Sequence, residues 1–140
     1  MWGRRQGVNL VDTPEMDAFF DRLERVNGEQ LLAMQAAWHG VTHLEHEAAW
    51  AAVRAVGDSA GLTKEIGRLR NKALAWSQRG SNSVPYYRVN DDYSWLQVKM
   101  GAGEAIVDAA LAVALGDRLD ARTRDTLLGP WLRATEAQGA

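Results

Sequence analysis

The chain has 140 residues, of which 46% are apolar and 24% charged, and its formal net charge is −2. A chain of this length and composition can bury a core without disulfides or metal ions. It contains no cysteine, which excludes disulfides, thiolate metal sites and a cysteine nucleophile. The N-terminus lacks the apolar run of a signal peptide, and no apolar stretch is long enough to span a membrane. We therefore expect one cytoplasmic domain over residues 1–140, without membrane contact.

Two helices are predicted in the first part of the chain, after an N-terminal arm at residues 1–11. The run Asp-Thr-Pro-Glu at 12–15 is a typical helix start, because a capping side chain precedes a proline in the first turn. The pair Asn-Gly at 27–28 is typical of a helix end. The second helix is predicted from about 29 to 56, with a weak point and site for a kink at 40–42.

Three more helices are predicted in the rest of the chain. The third covers about 62–78, the fourth about 92–115, and the fifth begins near Asp120. The Gly-Pro pair at 129–130 predicts a break or kink in the fifth helix, since proline cannot donate a backbone hydrogen bond. The last residues, 136–140, are expected to be a frayed tail.

The fourth predicted helix, 92–115, is apolar on nearly all sides. A helix with no polar face is typically the central one of a bundle. Because alternation with a period of two is nearly absent, the fold class is predicted to be all-α, a four- to five-helix bundle with this helix at its centre. The other helices of so short a chain can cover only part of the apolar surface of this helix. We therefore expect a second copy to complete the bundle as a homodimer.

The three histidines of the chain fall within the second predicted helix. His39, His43 and His46 lie within about 60° of one another at 100° per residue, and Glu47 is adjacent to that face. Imidazole and carboxylate groups at such spacing are good ligands for zinc, nickel or iron. His39 and His46 are roughly 10.5 Å apart along the axis, so one ion could take only a neighbouring pair and needs another ligand from elsewhere.

Glu104 and Asp108 are the candidates for that further ligand. They are four residues apart in the fourth predicted helix, so both carboxylates share a face of an otherwise apolar segment. The alternative interpretation is that they form the one solvated strip of that helix. The histidines, in turn, could be a structural or interfacial row that titrates near neutral pH.

A basic stripe marks the third predicted helix. Residues 62–90 carry six basic and one acidic residue, net +5, between two acidic parts of the chain. With the loop 81–90, this stripe predicts an anion or nucleic-acid site made of Lys64, Arg68, Lys72, Arg79 and Arg88. The slightly acidic chain as a whole does not favour nucleic acid, so a solvated face or contact with an acidic protein surface is the alternative.

Neither pattern names a reaction, and the sequence leaves open whether the protein is an enzyme. The favoured interpretation is a non-enzymatic interaction or regulatory module that acts as a homo-oligomer. The alternatives are a metal-binding bundle, including a metal-dependent enzyme, that uses the histidines, and a nucleic-acid or anion binder that uses the basic stripe.

Overall fold

The computed structural model describes residues 9–78 and 102–139, and the side chains of 78 and 137–139 are not part of that description. Within these ranges the chain is all-helical and contains no strand, which confirms the predicted class. A short 3-10 turn, Gly116–Arg118, joins the last two helices. The six α-helices of the described ranges are α1 (Pro14–Glu24), α2 (Gly28–His39), α3 (His43–Ala60), α4 (Thr63–Gln78), α5 (Gly103–Leu115) and α6 (Ala121–Gly139).

Helix α1 begins as predicted, but the segment after it has a different role. The Thr13 side chain accepts a hydrogen bond from the Met16 N–H and caps α1. Asn27 does not end this helix; it caps the next one. Its side chain accepts from the Gln30 N–H, and the Gln30 side chain accepts in return from the Asn27 N–H, so the two form a capping box.

The predicted second helix, 29–56, is two helices, which corrects the sequence prediction. Helix α2 ends at His39, and α3 begins at His43. Thr42 has an extended backbone, and its side chain accepts a hydrogen bond from the Glu45 N–H, so it starts a new helix rather than continuing the old one. In a continuous helix the Glu45 N–H would donate to a backbone carbonyl one turn back. Here it donates to the Thr42 side chain instead, so one helix ends and another begins.

Helix α6 is continuous through Pro130, so the chain does not break at 129–130; the alternative of a kink stays a prediction. Leu127, Trp131 and Ala134 are buried on both sides of the proline. Burial of this stripe outweighs the one backbone hydrogen bond that proline removes. The helix extends to Gly139.

The described part of the predicted fourth helix, α5, is buried within the single chain. Ten of its 13 residues are buried, and it packs against α1, α2, α4 and α6. The expectation that this helix keeps an uncovered apolar face is therefore wrong for Gly103–Leu115; the predicted residues 92–101 lie outside the described ranges. Leu10 and Val11, at the end of the predicted arm, are buried too. In the described ranges no helix has the length and apolar character needed to cross a membrane.

Candidate functional site

A buried carboxylate lies where α2, α3 and α5 meet. Asp108 of α5 is only 1% exposed. The indole N–H of Trp38 donates to its Oδ2 atom at 2.9 Å, and the indole N–H of Trp50 donates to its Oδ1 atom at 3.0 Å. Each carboxylate oxygen thus has one donor, and the donors come from two different helices. We call these three residues the Asp108 junction.

The break between α2 and α3 makes the Asp108 junction possible. On one straight helix, Trp38 and Trp50 would be roughly 18 Å apart along the axis and about 120° apart around it. Because the chain turns at 40–42, both indoles reach the same carboxylate. Asp108 therefore links the two helices on either side of the break to α5.

His46 strengthens the same corner from the α3 side. Its ring stacks on the Trp38 ring at a centroid distance of 4.2 Å. Its Nε2 atom lies 3.0 Å from the Trp38 carbonyl oxygen; because a carbonyl can only accept, Nε2 is the donor. The Trp38 carbonyl lies in the last turn of α2 and also accepts from the Val41 N–H at 3.2 Å, so His46 adds a second donor there. The His46 Nδ1 atom is buried and has no hydrogen-bond partner among the described residues.

Burial controls the protonation of Asp108. Removal from water disfavours the charged form and raises the pKa of the Asp108 carboxyl from 3.8 to about 7. The hydrogen bonds from Trp38 and Trp50 act in the opposite direction, because they stabilise the carboxylate, and the nearby charge of Glu104 adds to the rise. The junction can therefore take up or release a proton near neutral pH, although its carboxylate is too enclosed to touch a substrate.

The predicted metal ligands do not come together. His39, at the end of α2, is exposed and meets the Trp38 ring edge-on. His43 and Glu47 form a 3.1 Å pair in which both side chains are largely exposed. The described part of the chain contains no group of three or more His, Asp or Glu residues that could hold an ion. A zinc, nickel or iron site stays a prediction from the sequence.

Glu104 and Asp108 occupy different environments, although they are one turn apart. Glu104 is exposed, whereas Asp108 is buried with both oxygens accepting from indoles. The prediction of one solvated strip on this helix is therefore wrong for Asp108. Neither oxygen of Asp108 is free for an ion, so the carboxylate acts as an internal hydrogen-bond acceptor.

The described part of the basic stripe is partly engaged within the chain. Arg68 pairs with Glu65 at 3.3 Å, and the Lys72 amino group lies 4.7 Å from the centre of the Phe20 ring. Lys64 is exposed. Arg79 and Arg88, like the loop 81–90, lie outside the described residues. The anion or nucleic-acid site stays a prediction.

A second feature lies on the surface, where the start of α3 meets the start of α6. Leu44 is 76% exposed, the highest value among the large apolar side chains of the described ranges. It borders a cleft of about 350 Å³. We call this cleft, with Leu44, the Leu44 surface; its lining consists of Leu44, Glu45, Ala48, Ala49, Asp120, Arg122, Thr123 and Thr126.

Neither the contacts of Asp108 with the two indoles nor the Leu44 surface was predicted from the sequence, although one signal points to the first. Thr42 followed three residues later by Glu45 is the pattern of a helix start, and it predicts the break that brings the two indoles together. No comparable pattern marks Leu44, because exposure depends on how α3 packs on α6. No protein family, curated protein or solved structure matches the chain.

Proposed function

We propose that this chain is a non-enzymatic interaction module that acts as a homo-oligomer, with the Leu44 surface as its contact between copies. The observation that carries the proposal is the exposure of Leu44 beside an open cleft. A projecting apolar side chain and a cleft on the same face are self-complementary. In a two-fold pair, each Leu44 enters the cleft of the other copy.

The charges around the cleft favour the same partner. Glu45 and Asp120 supply carboxylates, and Arg122 supplies a guanidinium group. Hydrogen bonds from Thr123 hold the pKa of Asp120 below its ordinary value, so this carboxylate is charged at neutral pH. A two-fold axis can place Arg122 of one copy opposite the carboxylates of the other, and opposite charges then meet on both sides of the axis.

The predicted bundle, with the helix at 92–115 at its centre, stays part of this proposal. The contact between copies, however, lies elsewhere than on that helix, where it was expected from the sequence. The burial of Gly103–Leu115 within one chain leaves the surface between α3 and α6 as the better supported place.

Sedimentation velocity on the full chain, from about 1 to about 200 µM, tests the proposal. We expect a dimer that forms as concentration rises, and a monomer throughout for Leu44→Asp, because a carboxylate buried beside Glu45 and Asp120 of the other copy is costly. Leu32→Asp is the matched control: Leu32 is 52% exposed but lies outside the cleft, so this variant should associate like the original chain. A wild-type chain that stays monomeric over the whole range would contradict the proposal.

A further inference from the structure

The strongest unexplained feature of the molecule is the Asp108 junction. A carboxylate that is 1% exposed is seldom retained in a core without a paired cation, because its burial is costly. Asp108 has two indole donors instead, and these hydrogen bonds offset part of that cost without a neutralising charge. The retained carboxylate therefore calls for a role beyond packing.

We propose that the Asp108 junction is a proton-sensitive latch: ionised Asp108 ties α2 and α3 to α5 through both indoles, and a proton on Asp108 weakens one of these ties and loosens the α2–α3 joint. This inference concerns the internal geometry of one chain and does not depend on self-association.

The hydrogen-bond chemistry of the carboxyl group supports two states. An ionised carboxylate only accepts, so both oxygens can take an indole N–H. When a proton binds to one oxygen, that oxygen becomes a donor and a much poorer acceptor, while the other keeps its indole partner. The ionised state fixes both helices at the cost of a buried charge, and the neutral state lowers that cost and gives up one tie.

The location of Asp108 determines what the proton controls. Trp38 is in the last turn of α2, and Trp50 is in α3, on opposite sides of the break at 40–42. Besides the junction, His46 holds this corner through its contacts with Trp38. Both helices also pack against α6, so a proton on Asp108 acts on the joint between α2 and α3 and not on the whole bundle.

Other titratable groups near the junction are few. Glu104 lies one turn away on α5 and raises the pKa of Asp108. From α3, His46 reaches Trp38, while Glu47 and Arg54 lie with Trp50 along a surface cleft. Within the described ranges, no charged side chain of α1, α4 or α6 is among the groups that shift the pKa of Asp108. Burial, which places that pKa near 7, therefore puts the two states within the physiological range.

Nuclear magnetic resonance of the indole N–H groups tests the latch. In the full chain, titrated from about pH 5 to about pH 9, we expect the Trp38 and Trp50 signals to shift with one shared midpoint near pH 7. Spectra of Trp38→Phe and Trp50→Phe assign the two signals. If neither signal titrates in this range, the latch does not exist.

Three variants identify the titrating group. Asp108→Asn has nearly the same shape but cannot ionise, so it should abolish the titration of both signals. Trp50→Phe removes one donor to the carboxylate and should raise the midpoint seen at Trp38 by at least about half a pH unit. His46→Gln should leave both midpoints unchanged. Titration that persists in Asp108→Asn, or that disappears in His46→Gln, would overturn the proposal; if Asp108→Asn does not fold, an unchanged midpoint in Trp50→Phe would do so.

Discussion

Asp108 and Glu47 each lie within hydrogen-bond distance of ring nitrogens of aromatic or imidazole side chains, yet the two contacts have very different consequences. Asp108 is buried and accepts from Trp38 and Trp50, whereas Glu47 lies at the surface and pairs with His43. The distances are similar, at 2.9 and 3.0 Å in the junction and 3.1 Å at the surface. Burial, not geometry, separates the two.

The comparison shows where a charge matters in a small helical protein. Water competes for the exposed pair and screens it, so its two side chains gain little by meeting. Water does not reach Asp108, so the hydrogen bonds that water would donate to its carboxylate must come from side chains of the protein. Substitutions at the buried and at the exposed carboxylate test this contrast.

Asp108→Ala should destabilise the protein most, by about 2–5 kcal/mol at pH 8. The substitution leaves a cavity and deprives two indole N–H groups of their acceptor. Urea unfolding followed by circular dichroism measures the change. Glu104→Ala is the matched control, because it removes an exposed carboxylate from the same helix one turn away and should change the free energy of unfolding far less. Equal losses in the two variants would remove the contrast between buried and exposed carboxylates.

The stability of the chain should fall with rising pH through the Asp108 carboxyl. Its pKa is about 7 in the folded chain against an ordinary 3.8, so the folded state binds this proton more tightly than the unfolded state. The resulting stabilisation is full below about pH 3.8 and is lost as pH rises to about 7, with a slope of up to about 1.4 kcal/mol per pH unit.

The difference in free energy of unfolding between wild type and Asp108→Asn isolates this contribution. Urea unfolding at several pH values between about 4 and 9 should show this difference declining up to about pH 7 and levelling off above it. A constant difference across the series would show that Asp108 has an ordinary pKa in the folded chain.

Trp50→Phe should cost about 1–3 kcal/mol at pH 8. It keeps most of the aromatic surface but removes one hydrogen bond to a charged group. Combining it with Asp108→Asn in a double-mutant cycle measures the coupling between the two residues, which should be a large part of that cost. Additive effects would mean that the indole contributes by packing alone.

The exposed pair should give the smallest effect. His43→Ala and Glu47→Gln should each change the free energy of unfolding by less than about 0.5 kcal/mol, because the two side chains are 82% and 62% exposed. Thermal unfolding at low and at high salt provides the measurement. A loss comparable to that of Trp50→Phe would show that exposure is a poor guide to the strength of such pairs in this protein.

The helical class followed from local patterns, because the spacing of apolar residues and the capping side chains act within a few positions. The predicted third helix, about 62–78, corresponds closely to Thr63–Gln78. One error arose where distant contacts compete with local preference. Pro130 remains inside a helix because apolar residues on both sides of it are buried against other helices.

The candidate site was harder to predict for the same reason. Asp108 was recognised as unusual in an apolar helix, but its partners are 70 and 58 positions away in the chain. The histidines attracted attention because their spacing fits one helix. The cap at Thr42 divides that helix, and of the three histidines it is His46 that both stacks on the Trp38 ring and bonds the Trp38 carbonyl. A pattern that assumes one straight helix cannot reveal a contact that depends on its interruption.

The long separation of these partners has a consequence for the order of folding. Closing a loop of 70 residues costs more chain entropy than completing a helical turn, so the capped helices can form well before Asp108 meets its indoles. Interactions that form after the transition state slow unfolding and have little effect on the folding rate. We therefore expect the junction to set how long the native chain persists once it has folded, rather than how quickly it gets there.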